Sequence, residues 1–371
     1  MIIERIAMYY LQMPLVDPFE TSFGRETNRD TIIVSVSSQG ITGWGEAPTL
    51  KAPLYNEETT ETAWHILKDY LIPTTLGKSF SHPSEVAKAY SQIRGNNIAK
   101  SGLEAAVWDL YSKSLGRPLW QVLGGTNNKV AVGVSLGIEQ SVSDLIRKAE
   151  SFLNQGYRKI KVKIKPGKDV SVVKELRQAL GDFPLMVDAN SAYTLKDIEV
   201  FKEMDGFGLI MIEQPLGHDD IFEHSFLQKE IQTPICLDES ILHRKDAWAA
   251  LELRSAGIIN IKISRVGGLT EAKAIHDLCF DRNVPVWCGG MLETGIGRAH
   301  NIAIATLGGF TIPGDTSASS RYWKKDIIVP EVTVKDGFIE PNELEAKSGI
   351  GYEVSEAELN KWTVRQDLWK Q

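Results

Sequence analysis

Basic charge is what this chain lacks most plainly. Forty-one Lys and Arg stand against 48 Asp and Glu, a net charge of −7, with no basic block. Nucleic acid is therefore not an expected partner. Cysteine is scarce too: Cys236, Cys279 and Cys288 are scattered, with no close pair and no His cluster beside them. That excludes a disulfide framework or a thiolate metal site and is the pattern of reduced thiols in a cytosolic protein. No apolar run is long enough to cross a bilayer. The opening Met1-Ile2-Ile3-Glu4-Arg5 puts an acid where a signal peptide carries basic residues ahead of an apolar core. A cytoplasmic protein, neither exported nor anchored, is expected.

What remains is a chain of ordinary globular composition, 43% hydrophobic and 24% charged, whose 371 residues suffice for one large domain or two ordinary ones. Residues 2–13, 31–37 and 41–44 are strand-like, the last two joined by Ser38-Gln39-Gly40. Two loops, 17–30 around Phe23 and Gly24 and 49–56 with Pro53 and Tyr55, are read either as surface connections or as lids. Helical patterns at 57–70, ending before Pro73, at 84–94 and at 101–115 complete an α+β unit over residues 1–125.

From residue 129 the pattern changes to alternating strands and helices. Strand-like runs lie at 130–136, 159–164, 185–187, 209–212, 235–237, 258–261 and 284–287, with helix-like stretches between them. Such alternation signals parallel βα units, and 310–312 as an eighth strand would close a barrel over residues 126–320. A doubly wound open sheet competes. It would gather its chemistry at one switch point, often with a glycine-rich phosphate loop after the first strand. Here that strand leads to Gly137-Ile138-Glu139-Gln140, and chemically capable residues are spread over strands two to six, so the barrel is preferred. Residues 331–334 and 337–339 resemble a small hairpin around Lys335-Asp336, and the tail, 321–371, is expected to return to the N-terminal unit.

The spread residues form a row. Lys163, Asp188, Glu213, Asp238 and Lys262 are separated by steps of 25, 25, 25 and 24, each at the end of an apolar run. A step of one strand plus one helix places them at the carboxyl ends of successive barrel strands, where barrel enzymes keep their chemistry. Any one acid alone is as readily a helix cap. Together, Asp188, Glu213 and Asp238 make a hard oxygen site suited to Mg²⁺ or Mn²⁺, with Asn190 and Glu239 next to the ligands. Lys159, Lys161, Lys163 and Lys165 share one face of their strand. On an edge strand that face is solvated. Inside a barrel only lysines near the mouth are accommodated, which favours Lys163 and Lys161. Strands two and six of an eight-stranded ring are opposite, so Lys163 and Lys262 should flank a planar enediolate bound through its oxygens to the metal, with Lys161 and the metal lowering the pKa of the base.

The Lys161-Val162-Lys163 motif, the three carboxylates and Lys262 resemble the enolase superfamily, in its muconate-lactonizing-enzyme-like subgroup, over essentially the whole chain. The resemblance implies a (β/α)7β TIM-like barrel under an α+β cap built from both ends of the chain. Asp188-Ala189-Asn190-Ser191, Met211-Ile212-Glu213-Gln214-Pro215, Leu237-Asp238-Glu239-Ser240 and Gly289-Gly290-Met291-Leu292-Glu293-Thr294-Gly295 are similar to the branch of o-succinylbenzoate synthases and N-succinylamino acid racemases. That branch implies a Mg²⁺-dependent dehydration of 2-succinyl-6-hydroxy-2,4-cyclohexadiene-1-carboxylate in menaquinone synthesis, with Lys163 as base and Lys262 opposite it. It also implies a racemisation in which the lysines exchange roles, and a homo-oligomer. Arg265 resembles the arginine of racemase-competent members, or else is a solvated loop charge. Ser135, Gly290, Met291, Phe23 and Tyr55 are expected substrate contacts. Gly314-Asp315-Thr316-Ser317 lacks the Asp-x-Asp of dipeptide epimerases, which argues against a dipeptide substrate. A non-catalytic metabolite-binding barrel, the reading from another class, would predict a broken row, and all five members are present.

Overall fold

Residues 6–11, Ile-Ala-Met-Tyr-Tyr-Leu, are apolar on both faces of an extended chain, so the strand that carries them must be covered on both sides. The structure, a computed structural model, describes residues 1–22, 24–341 and 347–371. In it the strand β1 (Arg5–Glu20) turns Ile6, Met8 and Tyr10 to one core and Ala7, Tyr9, Leu11 and Met13 to another. The first core lies under the cap helices, and the second is continuous with the barrel. β1 pairs antiparallel with β2 (Arg25–Ser38), which pairs with β3 (Ile41–Ala47). The strand Thr363–Lys370 pairs antiparallel with the other edge of β1.

Local chemistry departs from the sequence expectation in four places. The stretch 17–30, expected as a loop, is mostly paired strand: Phe19 and Glu20 pair with Glu26 and Arg25, after a register shift beyond Pro14. Most of its charged residues are exposed or half-buried, so no alternation shows, and pairing with β1 holds them extended. The first helix does not stop before Pro73. It runs Thr60–Ile66, loosens into a π-turn at Leu67–Leu71, and resumes at Ile72–Thr75 with Pro73 in the first turn, where a missing N–H costs nothing. The expected hairpin at 331–339 is reduced to a Lys335–Phe338 bridge, and Phe338–Ile339 pairs instead with β4 (Val130–Ala131). Helix Gly295–Ala305 was not among the expected helices; its Gly-Ile-Gly start conceals it.

The barrel follows the expected alternation. β5 (Val134–Leu136), β6 (Ile160–Lys163), β7 (Leu185–Asp188), β8 (Ile212–Glu213), β9 (Ile235–Leu237), β10 (Ile258–Ile261) and β11 (Val286–Cys288) form one parallel sheet in chain order. The predicted first strand breaks at Gly133, where a Cβ would lie 2.7 Å from the Lys159 side chain. Residues 310–315 close the ring: Phe310 bridges Val286 and Gly314 bridges Val132, both in parallel. The Gly133 N–H donates to the Gly314 carbonyl at 2.7 Å across that seam. The resulting fold is a (β/α)7β barrel under an α+β cap.

Three buried carboxylates tie the cap to itself and to the barrel by accepting from otherwise unpaired amides at helix N-termini, two of which have no side-chain cap of their own. Glu58 accepts from the Ile98 and Ala99 amides of helix Asn97–Ser114. Glu104, on that helix, accepts from the Leu269 and Thr270 amides of helix Leu269–Asp281. Glu46, on β3, accepts from the amides of Thr294 and Gly297 at the start of helix Gly295–Ala305. Among the described residues, no helix is long and apolar enough to cross a membrane.

Candidate active site

Each member of the row sits at or just past a strand end because the apolar residues before it fill the barrel wall. All five are buried at the mouth: Lys163, Asp188, Glu213, Asp238 and Lys262. Above them a cavity of about 80 Å³ is lined by Lys161, Lys163, Asn190, Lys262, Ser135, Gly290, Met291, Glu293 and Asp315 from the barrel. Phe19, Gly24, Arg29, Leu50 and Tyr55 reach it from the cap. Leu50, Tyr55 and Met291 form a small apolar cluster where the two meet.

The lysines are held by named partners. Lys163 Nζ donates to Asp188 Oδ2 at 2.6 Å and to Asn190 Oδ1 at 2.7 Å. Lys262 Nζ donates to Asp238 Oδ2 at 2.7 Å and to the Tyr55 hydroxyl at 3.1 Å, with the Tyr55 ring 4.5 Å away. Their protonation tendencies are opposite. Burial pushes the Lys163 pKa down, and the Lys161 and Lys262 charges add to this against the pull of Asp188. Burial acts on Lys262 too, but there Tyr55, Glu239 and Glu213 outweigh it and hold the ammonium above its ordinary range. In Lys161, burial is likewise outweighed, by Asp315, Glu213 and Asp188.

The acids are crowded. Burial and then the Asp188 charge push both Glu213 and Glu239 up. Burial opposes ionisation of Asp188 as well, but Lys163 and Lys161 overcome it and hold its pKa down. Among the described residues no group of three or more His, Cys, Asp and Glu side chains converges as a ready-made metal cage. The carboxylates are instead turned to cations: Asp188 to Lys163, Glu213 to Lys161, and Asp238 to Lys262 and Arg265. The donor set still fits a hard divalent cation. It is all oxygen, and Glu239, bonded through Oε1 to Asn190, has Oε2 buried without a hydrogen-bond partner.

The substrate contacts expected from sequence divide. Ser135 faces the cavity with its Oγ buried and unpaired. Gly290, Met291 and Tyr55 also line it, Tyr55 through a hydroxyl 3.3 Å from Asp238. Phe23 lies outside the described residues. Arg265 is neither a cavity-lining group nor a solvated loop charge. It is buried behind Asp238, donating to that carboxylate and to the Ile241 and Asn260 carbonyls. Lys159 corrects the expectation that only lysines near the mouth fit inside the barrel: it is wholly buried deeper in, 3.7 Å from the Trp287 ring centroid and 3.3 Å from Asp315. Asp315 and Glu293 stand in stretches quoted for a motif, without a role of their own, and Arg29 and Asn260 carry no local signal. The signal for Asp315 was the lysine row itself, since buried ammonium groups demand counter-charges.

Residues 5–124 match the family described as mandelate racemase / muconate lactonizing enzyme, N-terminal domain, and residues 144–358 match enolase C-terminal domain-like. The chain is 55% identical over 362 residues to an o-succinylbenzoate synthase of Geobacillus stearothermophilus, covering 97% of this chain and 96% of that one. It is 46% identical to an N-succinylamino acid racemase of Thermus thermophilus, with 91% of each chain covered. A crystal structure of an enolase superfamily member from Listeria innocua superposes with a TM-score of 0.95 at 38% identity, covering 100% of this chain and 99% of that one. With its cap, its barrel and its row of strand-end residues, this chain belongs to the enolase superfamily, in the mandelate racemase / muconate lactonizing enzyme family.

Proposed function

We propose that the chain is an o-succinylbenzoate synthase that takes Mg²⁺, with Mn²⁺ as a substitute, and that also racemises N-succinylamino acids. One observation carries the reading: a single cavity presents two buried lysines, from strands four places apart in the sheet, each hydrogen-bonded to a carboxylate of the row. The full-length relatives named for these activities support it. The reaction is placed in menaquinone synthesis, in the cytoplasm, on a small dicarboxylate. The barrel, 126–320, supplies the chemistry, while the cap, 1–125 with 321–371, covers the substrate and a homo-oligomer is expected.

Asp188, Glu213 and Asp238 would hold the cation, whose charge makes the carbon next to a bound carboxylate more acidic. Lys163, its basic form favoured by burial, takes that α-proton, and the electron pair moves into the carboxylate to give an enediolate. Lys262, kept as an ammonium, stabilises the new negative charge from the opposite face. In the synthase reaction Lys163 then returns its proton to the departing hydroxyl. The C–O bond breaks, water leaves and the ring becomes aromatic. In racemisation Lys262 delivers a proton to the opposite face, and the reverse direction exchanges the two roles. Lys161, between Asp188 and Glu213 and open to the cavity, supplies a second positive charge for the substrate carboxylate.

Dehydration and racemisation measured on one preparation, as kcat/KM, rank the two activities. Lys163→Ala is expected to abolish dehydration with folding intact, and full turnover by that variant refutes the assignment. Chelation should stop both reactions and added Mg²⁺ should restore them; activity that survives exhaustive chelation refutes the metal reading. Racemisation as the main activity is the second reading, favoured by the Thermus thermophilus relative. Absence of α-proton exchange in D₂O excludes it.

A further inference from the structure

Two buried lysines, Lys161 in β6 and Lys159 just before it, point the same way, and one carboxylate serves both. Asp315, on the stave that closes the barrel, stands 2.5 Å from Lys161 Nζ through Oδ2 and 3.3 Å from Lys159 Nζ through Oδ1. The Trp287 ring packs beneath, its centroid 3.7 Å from Lys159 Nζ and 4.8 Å from Lys161 Nζ. All four residues are buried. Asp315 is fixed by the seam itself, because its amide donates to the Cys288 carbonyl at 2.9 Å. Barrel closure therefore fixes the backbone from which the Asp315 carboxylate reaches the two lysines.

Lys161 has a choice of three carboxylates. Asp315 is nearest at 2.5 Å, while Glu213 is at 3.2 Å and Asp188 at 3.4 Å. The latter two belong to the oxygen set that would hold the divalent cation. An ammonium drawn fully onto them would occupy the same lone pairs and repel the ion. Asp315 pulls it the other way, toward the side of the cavity opposite those acids. Lys159 has a different pairing: its ammonium nitrogen lies 3.3 Å from Asp315 and 3.7 Å from the Trp287 ring centroid.

We propose that Asp315 is a positioning residue for the metal site: by anchoring the Lys161 ammonium on the closing stave it keeps that charge from being drawn fully onto the Glu213 and Asp188 oxygens, where it would compete with a divalent cation. The inference rests on reading Asp188, Glu213 and Asp238 as the metal set. A purely structural Asp315, present only to neutralise buried Lys159, is the competing account. The two differ in what happens once Lys159 is removed.

The test is Mn²⁺ binding, followed by electron paramagnetic resonance of the free ion, so that no turnover is needed. Lys159→Met serves as the background because Asp315→Asn alone would strand a buried ammonium and endanger folding. Asp315→Asn in that background should weaken Mn²⁺ binding roughly tenfold or more, the size of effect typical when a group that orients metal ligands is lost. The same substitution in a Lys159→Met, Lys161→Met background should change Mn²⁺ affinity less than about twofold, because the competing ammonium is gone. Equal Mn²⁺ affinities with and without Asp315 while Lys161 is present overturn the proposal, as does a loss that persists undiminished without Lys161. If the unmutated protein binds no Mn²⁺, the metal reading fails first and takes this inference with it. Binding that ignores Asp315 sinks this inference alone.

Discussion

Glu46→Gln probes how the cap controls the substrate loop, and its cost can be worked from four contacts. Glu46 Oε1 accepts from the Thr294 amide at 3.1 Å and from Thr31 Oγ1 at 2.9 Å, while Oε2 accepts from Thr294 Oγ1 at 2.6 Å and from the Gly297 amide at 3.0 Å. Gln keeps the shape but can accept on one side only. If its NH₂ replaces Oε2, the Gly297 N–H loses its acceptor; if it replaces Oε1, the Thr294 N–H does. The hydroxyls can rotate to accept, but a backbone N–H cannot. One buried donor is thus stranded in either orientation, at about 1–3 kcal/mol, and the remaining bonds lose their charge assistance. Against this, the amide escapes the burial that pushes the Glu46 pKa up. The net loss should be about 2 kcal/mol of unfolding free energy, read from urea titration. Because Thr294 follows the cavity-lining run 290–293, KM should also rise more than kcat falls. A variant within about 0.5 kcal/mol of the parent, with KM unchanged, would show that the carboxylate does not hold the loop.

Glu58 makes stability depend on pH. Burial, its main cause, pushes the folded pKa from 4.5 up to about 7, so the native state keeps a proton that the unfolded chain has lost over that window. Stability should therefore fall as pH rises from about 4.5 to 7, by about 3 kcal/mol, and stay level above it. Glu58→Gln should remove that component of the slope in denaturant titrations at several pH values. Gly45→Ala would set a Cβ 2.2 Å from the Gly102 carbonyl and 2.6 Å from the Ala106 amide, both backbone atoms that cannot give way. It should cost about 3 kcal/mol of stability, and a neutral result in calorimetry would mean that helix Asn97–Ser114 is not clamped against β3. For the two-base reading, Lys163→Ala and Lys262→Ala should each abolish racemisation of an N-succinylamino acid, followed by polarimetry. Racemisation by either variant would contradict it.

What was legible in the sequence is what repeats along it. The step of about 25 residues between Lys163 and Lys262 reports the strand-plus-helix unit directly, and all five members of that row meet in one mouth. Contacts that cross the fold leave no such trace. Glu46 reaches helix Gly295–Ala305 and Glu104 reaches helix Leu269–Asp281, and nothing local distinguishes either from a surface acid. Asp315 stood within a stretch read for a motif it does not have, and its meaning depends on where barrel closure puts it opposite Lys161. Arg265 lies three residues past Lys262 in sequence, a spacing that does not show its guanidinium turning back beneath Asp238. The eighth stave was found through Phe310 to Ile312, yet the pairing that matters extends to Gly314.

The pairing of β1 with the strand Thr363–Lys370 has a consequence for biosynthesis. Leu11 waits for a partner, Thr363, that emerges from the ribosome roughly 350 residues later. At ordinary elongation rates of about 5–20 residues per second, that leaves β1 with an open edge for roughly 20–70 s. Throughout that interval a strand apolar on both faces is available to pair with other chains. The nascent protein therefore passes through an aggregation-prone window that closes only when Thr363–Lys370 arrives, and crowding by sibling chains on one messenger makes that window most hazardous.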